Sequence, residues 1–242
     1  MKHLLAAIRF ITVLPMGKTD AYEPKGMIPY FPVVGLLLGA MTAAFDRLAS
    51  RLWSEPVPAL LDVVFLVLLT GAFHLDGLGD TADGLLGHRP RERALEVMKD
   101  SRIGVMGLTA IVCGLSLKWA GIMGLGDHRS LLLAIVPAYA RGGMVFGIRF
   151  LNYGRAGQGI GYGFFGDALK LTAFAGCLIP AFLSIALGWK ALWLNGCFVL
   201  ISGAILFYYK RRMNCITGDM LGAMAEVLES LLFLLSSVGG GI

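Results

Sequence analysis

"VVFLVLLTGAFHLDGLGDTADGLLG", residues 63–87, runs from a segment with no ionisable side chain before His74 into three aspartates interspersed with glycine. An uncharged run of this kind belongs in a bilayer, and the acids mark where it meets polar surroundings. The rest of the chain reads the same way. Hydrophobic residues make up 57% of the 242 residues and charged residues 15%, against about 25% charged in a usual soluble domain, and mean hydropathy is +0.73. Apolar stretches near 29–50, 57–75, 104–124, 131–150, 169–188, 191–209 and 220–238 each approach the roughly 20 residues that a spanning helix needs. The expected fold is all-α, a polytopic integral membrane bundle of about seven transmembrane helices, with six to eight compatible with the pattern. The leading "MKHLLAAIRFITVLP" is interrupted by Arg9 and lacks a small-residue cleavage site, so it reads as an interfacial helix rather than a signal peptide. No repeat, low-complexity tract or long linker divides residues 1–242, which read as a single integral membrane domain.

Fifteen of the 21 lysines and arginines fall on one side of the seven-span arrangement, including Lys2, Arg9, Lys18 and Lys25 before the first span. Only Arg47, Arg51, Arg129 and Lys190 fall on the other, and Lys118 and Arg141 lie inside predicted spans. Cytoplasmic loops retain positive charge, so the N-terminus and the loops near 87–103, 151–168 and 210–219 are expected in the cytoplasm. The net charge of +5 is then topological and does not indicate nucleic acid. The four cysteines show neither CxxC nor Cys/His ligand spacing, which argues against a zinc site or a disulfide framework.

In a helix Asp76, Asp80 and Asp83 stand at i, i+4 and i+7 and share one face. Their mutual repulsion and their desolvation at a membrane boundary ask for a cation, and oxygen donors without cysteine favour Mg²⁺, Mn²⁺ or Ca²⁺ over zinc. The plainer alternative is a solvated acidic helix end, or aspartates that cap the next helix. Gly77, Gly79, Gly84 and Gly87 lower helix propensity and suggest close approach by a ligand or another backbone. His74 projects away from the acid face and reads as a polar boundary residue with at most a supporting role.

Three more segments carry unusual chemistry. In "KDSRIG", Lys99, Ser101 and Arg102 are candidates for phosphate oxygens, with topological anchoring the equal alternative for the two bases, and Asp100 lies between them. In "TGDMLGAMAEVLE", Asp219 and Glu226 share a face, and Glu226 lies inside a predicted span, where a carboxylate needs a partner. Arg141 could pair with Glu226 or reach a substrate phosphate. "NYGRAGQGIGYGFFGD" places glycines at 157, 159, 161 and 163, either as a flexible loop or as backbone amides lining an anionic substrate, with Arg155 beside them. Acids for a metal, bases for phosphate and glycines for close approach share one predicted side, which points to metal-assisted chemistry on a phosphorylated substrate.

"HLDGLGDTADGLLG", "RERALEVMKDSRIGVMG" and "TGDMLGAMAEVLE", with "YFPVVGLLLG" before and "YARGG" between, resemble the signature segments of the cobalamin synthase (adenosylcobinamide-GDP ribazoletransferase) family. The resemblance spans most of the chain in order and departs at Gly79, where the family often has alanine. It implies a multi-pass enzyme of the cell (inner) membrane that joins adenosylcobinamide-GDP to α-ribazole or its 5′-phosphate, releases GMP and requires Mg²⁺. Joined to the residue reading, Asp76, Asp80 and Asp83 would hold the metal, Asp219 would complete the site or act as base, and the base stays open among Asp83, Asp100 and Asp219. Homo-oligomer formation and association with other cobalamin biosynthesis enzymes both stay open. Two rivals are a CDP-alcohol phosphotransferase, whose usual AR after DG is missing here, and an ion-coupled transporter, which would call for inverted repeats and acids near the midplane.

Overall fold

The computed structural model describes residues 2–17, 23–155, 159, 161–166 and 169–238. Lys18 of the N-terminal charge set and Gly157 of the glycine run lie outside the described residues. Eleven α-helices are found among the described residues: α1 (Lys2–Ile11), α2 (Pro24–Met27), α3 (Phe31–Leu52), α4 (Val57–Thr70), α5 (Phe73–Leu85), α6 (Arg91–Val97), α7 (Val105–Met123), α8 (Arg129–Phe150), α9 (Ala175–Ser184), α10 (Lys190–Arg212) and α11 (Gly218–Ser236). The fold is all-α; among the described residues the only β pairing is an isolated bridge between Tyr153 and Ile216.

The centre of the bundle is α8, which is buried along most of its length and packs closely on α3. Gly35 and Gly39 permit that contact, because a Cβ at either position would collide with the carbonyls of Pro137 and Ala134. Small residues at such crossings let helix backbones approach where no hydrophobic effect drives helices together. At one end of α8, Arg129 binds Asp46 of α3 at 2.8 Å, Glu55 at 2.8 Å and Asp62 of α4 at 3.2 Å, tying three helices together. α7 and α10 sit at the periphery and expose most of their apolar side chains, as lipid-facing helices do.

Four helical segments are long and apolar enough to cross a bilayer: Pro24–Leu52, α7, α8 and α10. The α4–α5 pair makes a fifth if it is counted as one bent span. This count, which rests on length and composition alone, differs from the seven apolar stretches at residues 169–188 and 220–238. The apolar stretch 169–188 forms one continuous run of 3₁₀ and α turns, Leu171–Leu187, shorter than the four segments above and with Pro180 inside. The stretch 220–238 is a regular helix, α11, which carries Asp219, Glu226 and Glu229 and, like α8, is largely buried inside the bundle.

The stretch expected as one span at 57–75 bends by 91° between α4 and α5. Gly71 and Ala72 both have φ of 58°, and their N–H groups donate back to Leu68 O at 3.1 Å and Val67 O at 3.0 Å. This is the left-handed helix stop that glycine adopts freely; for Ala72 the same conformation costs about 1–2 kcal/mol. The chain then restarts as α5, so the motif aspartates lie on a helix of their own.

Candidate active site

Two close crossings hold α5. Gly77 faces the Asp219 backbone, where a Cβ would come 2.7 Å from the Asp219 carbonyl oxygen. Gly222 faces His74, where a Cβ would lie 3.3 Å from the His74 Cα. These two glycines set α5 directly against the first turns of α11, which starts at Thr217, whose hydroxyl accepts from Met220 N–H at 3.2 Å. The loop after α8 is drawn onto the same place. Gly154 N–H donates to Ile216 O and Ile216 N–H to Asn152 O, each at 2.9 Å. That pairing brings Arg155 over α11, where its Nη2 donates to Asp219 Oδ2 at 2.6 Å and to Met98 O at 3.2 Å.

The result is a cavity of about 180 Å³ between α1, α5, α11 and the loop after α8. Its polar wall is His74, Asp76, Tyr153, Arg155 and Asp219, with Gly159 and Gly161 of the glycine run; its apolar wall includes Phe10, Phe31, Phe73 and Phe164. A larger hollow of about 510 Å³ between α5, α10 and α11 has an apolar wall and holds none of the acids. Chemistry on a phosphorylated substrate needs charge, which makes the smaller cavity the candidate site. Burial raises the Tyr153 phenol above its ordinary range, so it presents a neutral hydroxyl to the cavity.

The acids of α5 divide into two kinds. Asp76 is exposed and Asp80 half-buried, and among the described residues neither carboxylate takes a hydrogen bond. Asp80 is repelled by Asp76, Asp219 and Asp83 and attracted by Arg155. Asp83 differs: its Oδ2 accepts from Gly104 N–H at 2.7 Å and its Oδ1 from Gly107 N–H at 2.9 Å. Gly104 opens α7 without a side chain of its own, and Asp83 supplies the missing cap from α5, with its charge set against the positive end of the helix dipole. Asp83 thus caps α7, a contact that the metal and base roles expected of it did not include. Among the described residues no three His, Cys, Asp or Glu side chains form a group ready to hold a metal ion. The pair Asp76 and Asp80, free of protein donors, still fits Mg²⁺, which is commonly bound through one or two carboxylates together with substrate phosphates and water.

The cobalamin-5-phosphate synthase family model matches residues 3–237. The chain belongs to that family. It is 38% identical to the adenosylcobinamide-GDP ribazoletransferase of Alkaliphilus metalliredigens, with 100% of this chain and 98% of the relative aligned. It is 37% identical to the ribazoletransferase of Roseiflexus sp. over 92% of this chain and 84% of the relative. For the ribazoletransferase of Acetivibrio thermocellus, the figures are 32% identity and 97% of both chains. No solved structure matches this chain.

Of the residues singled out from this family member's sequence, Asp76, Asp219 and His74 line one cavity, with Asp80 one turn beyond Asp76 on α5. Lys99, Asp100, Ser101 and Arg102 do not line it. Arg102 Nη2 and Nε grip the Asp100 carboxylate at 2.6 to 3.2 Å, and this grip holds the Asp100 pKa down at about 2. Asp100 is thus bound to an exposed arginine and stands outside the cavity that Asp76 and Asp219 line. Arg141 is only 1% exposed and pairs with Glu229, so the expectation that it binds phosphate or pairs with Glu226 gives way to a buried ion network. Glu226 pairs instead with Lys118 of α7 at 2.7 Å, and Lys118 also reaches Glu229 at 2.7 Å. In the sequence Lys118 reads only as a charge inside a span, and Glu229 is not singled out. Their common position inside apolar helices was the available signal, since two buried bases require two buried acids. In the sequence Arg155 stands out only as a neighbour of glycines, and its pairing with Asp219 depends on a fold of the loop that no local pattern encodes.

Proposed function

We propose that this chain is an adenosylcobinamide-GDP ribazoletransferase acting late in cobalamin biosynthesis. The observation that carries the reading is the family match across nearly the whole chain; the convergence of Asp76, Asp219 and Arg155 on one cavity supports it. The 3′-hydroxyl of α-ribazole, or of its 5′-phosphate, forms a bond to the cobinamide-side phosphorus of adenosylcobinamide-GDP. The bond from that phosphorus to the bridging oxygen breaks, GMP leaves with the electron pair, and the hydroxyl proton passes to a base. With Asp83 capping α7 and Asp100 held by Arg102, Asp219 is the base in this reading, oriented by Arg155. Asp76 and Asp80 would hold Mg²⁺, which when bound offsets the charge of the pyrophosphate. The lysine and arginine distribution supports a cytoplasmic site in the cell (inner) membrane. Neither a CDP-alcohol phosphotransferase nor a transporter is favoured by a family match of this extent.

The test uses detergent-purified protein with adenosylcobinamide-GDP and α-ribazole, followed for GMP and cobalamin, with Mg²⁺ and with EDTA. Both products in the Mg²⁺ arm alone are expected. Neither product from folded protein would overturn the reading.

A further inference from the structure

His74 is fully buried on α5, lines the cavity and stands where α5, α8 and α11 meet. Its Nδ1 lies 3.4 Å from Arg141 Nη2. A guanidinium nitrogen can only donate, so a hydrogen on Nδ1 would face those of Arg141, and Nδ1 is left as the acceptor. The ring hydrogen therefore sits on Nε2. That nitrogen is buried and has no hydrogen-bond partner in the protein. Native structures seldom leave a buried donor open, and where one lines a cavity, a ligand atom is the natural acceptor.

We infer that His74 Nε2–H donates a hydrogen bond to a phosphoryl oxygen of the bound nucleotide substrate, with Arg141 as the positioning residue that fixes the ring tautomer. The inference rests on the transferase reading and adds a substrate contact to it. Its geometry also assigns a purpose to the ion network beneath the cavity: Glu229 holds Arg141, Arg141 holds the ring, and the ring presents its hydrogen to the substrate.

The two ring nitrogens can be told apart by substitution, because a glutamine amide reaches toward the Nε2 position and an asparagine amide toward Nδ1. Equilibrium binding of adenosylcobinamide-GDP in EDTA, read by corrinoid absorbance, is measured for wild type, H74Q, H74N and H74A, alongside thermal unfolding in detergent. H74Q is expected to bind within about threefold of wild type, and H74N and H74A to bind about tenfold more weakly, the usual scale of one hydrogen bond. Rescue by Asn but not Gln, or wild-type binding by all three, would assign the ring a purely structural part and overturn the inference. If the variants unfold, wild-type protein is compared on adenosylcobinamide-GDP and its phosphorothioate analogues, in which sulfur replaces one phosphoryl oxygen at a time. An affinity loss confined to one position supports the contact, and equal affinity at every position overturns it. Absence of GMP release by wild type with Mg²⁺ and α-ribazole would instead count against the transferase reading, so the two failures are distinct.

Discussion

Gly77 and Asp219 touch backbone to backbone: a Cβ on Gly77 would stand 2.7 Å from the Asp219 carbonyl oxygen. The contact sets the spacing between the two acid-bearing helices. Gly77→Ala must push α5 and α11 apart, at an overpacking cost of about 1–3 kcal/mol. The expected result is a lower unfolding temperature in detergent and a loss of turnover larger than that temperature loss explains. Full activity in a folded Gly77→Ala protein would show that the spacing is not needed.

Asp80 and Asp83 are both acids of one motif, yet they should fail differently. Asp80→Asn removes charge from a carboxylate that no protein group satisfies, and turnover should fall about a hundredfold or more with unfolding nearly unchanged. Asp83→Asn removes a charged cap from α7 and should cost about 1–3 kcal/mol of stability. Paired assays of Mg²⁺-dependent GMP release and thermal unfolding on the two variants separate the roles, and identical profiles would contradict the division.

Arg155 holds Asp219 at 2.6 Å. Arg155→Ala should lower kcat about tenfold or more, while Arg155→Lys, which keeps the charge but loses the planar fork, should recover only part of it. Steady-state kinetics on both variants checks the order.

Lys118 is nearly inaccessible and binds two glutamates. Lys118→Met strands a negative charge inside the bundle, and removal of one partner from a buried pair typically costs about 3–5 kcal/mol. Thermal unfolding should register this, and Lys118→Met with Glu226→Gln should recover part of the loss.

Asp100 gives a pH prediction with a clear sign. Its pKa is held down at about 2 by Arg102, below its ordinary value, so the pair is intact above that ordinary value and is lost as pH falls through about 2. No change in activity between pH 5 and 8 should trace to Asp100, and Asp100→Asn should retain turnover within about threefold, the scale of a weak exposed pair. A hundredfold loss in that variant would return Asp100 to the candidate bases.

The membrane class and the helix that carries Asp76, Asp80 and Asp83 were legible in the sequence. Hydropathy and helical spacing are local properties that composition records directly. What stayed hidden depends on direction in space. Asp83 and Asp76 look alike in a motif, but only the approach of the α7 N-terminus makes one of them a cap. Arg141 and Lys118 look like isolated intramembrane charges until helix packing brings Glu229 between them. The stop at Gly71 was masked because the residues on either side are equally apolar, and a hydropathy window averages across a corner.

That corner bears on how a bilayer enzyme meets large polar molecules. The 91° bend turns α5 away from the direction of α4, so Asp76 and Asp80 do not continue the line of the apolar helix before them. The acids are thereby set off the axis that carries the uncharged run from Val63 to Leu69. A charged substrate can then be met without carrying the acids along the axis of a spanning helix.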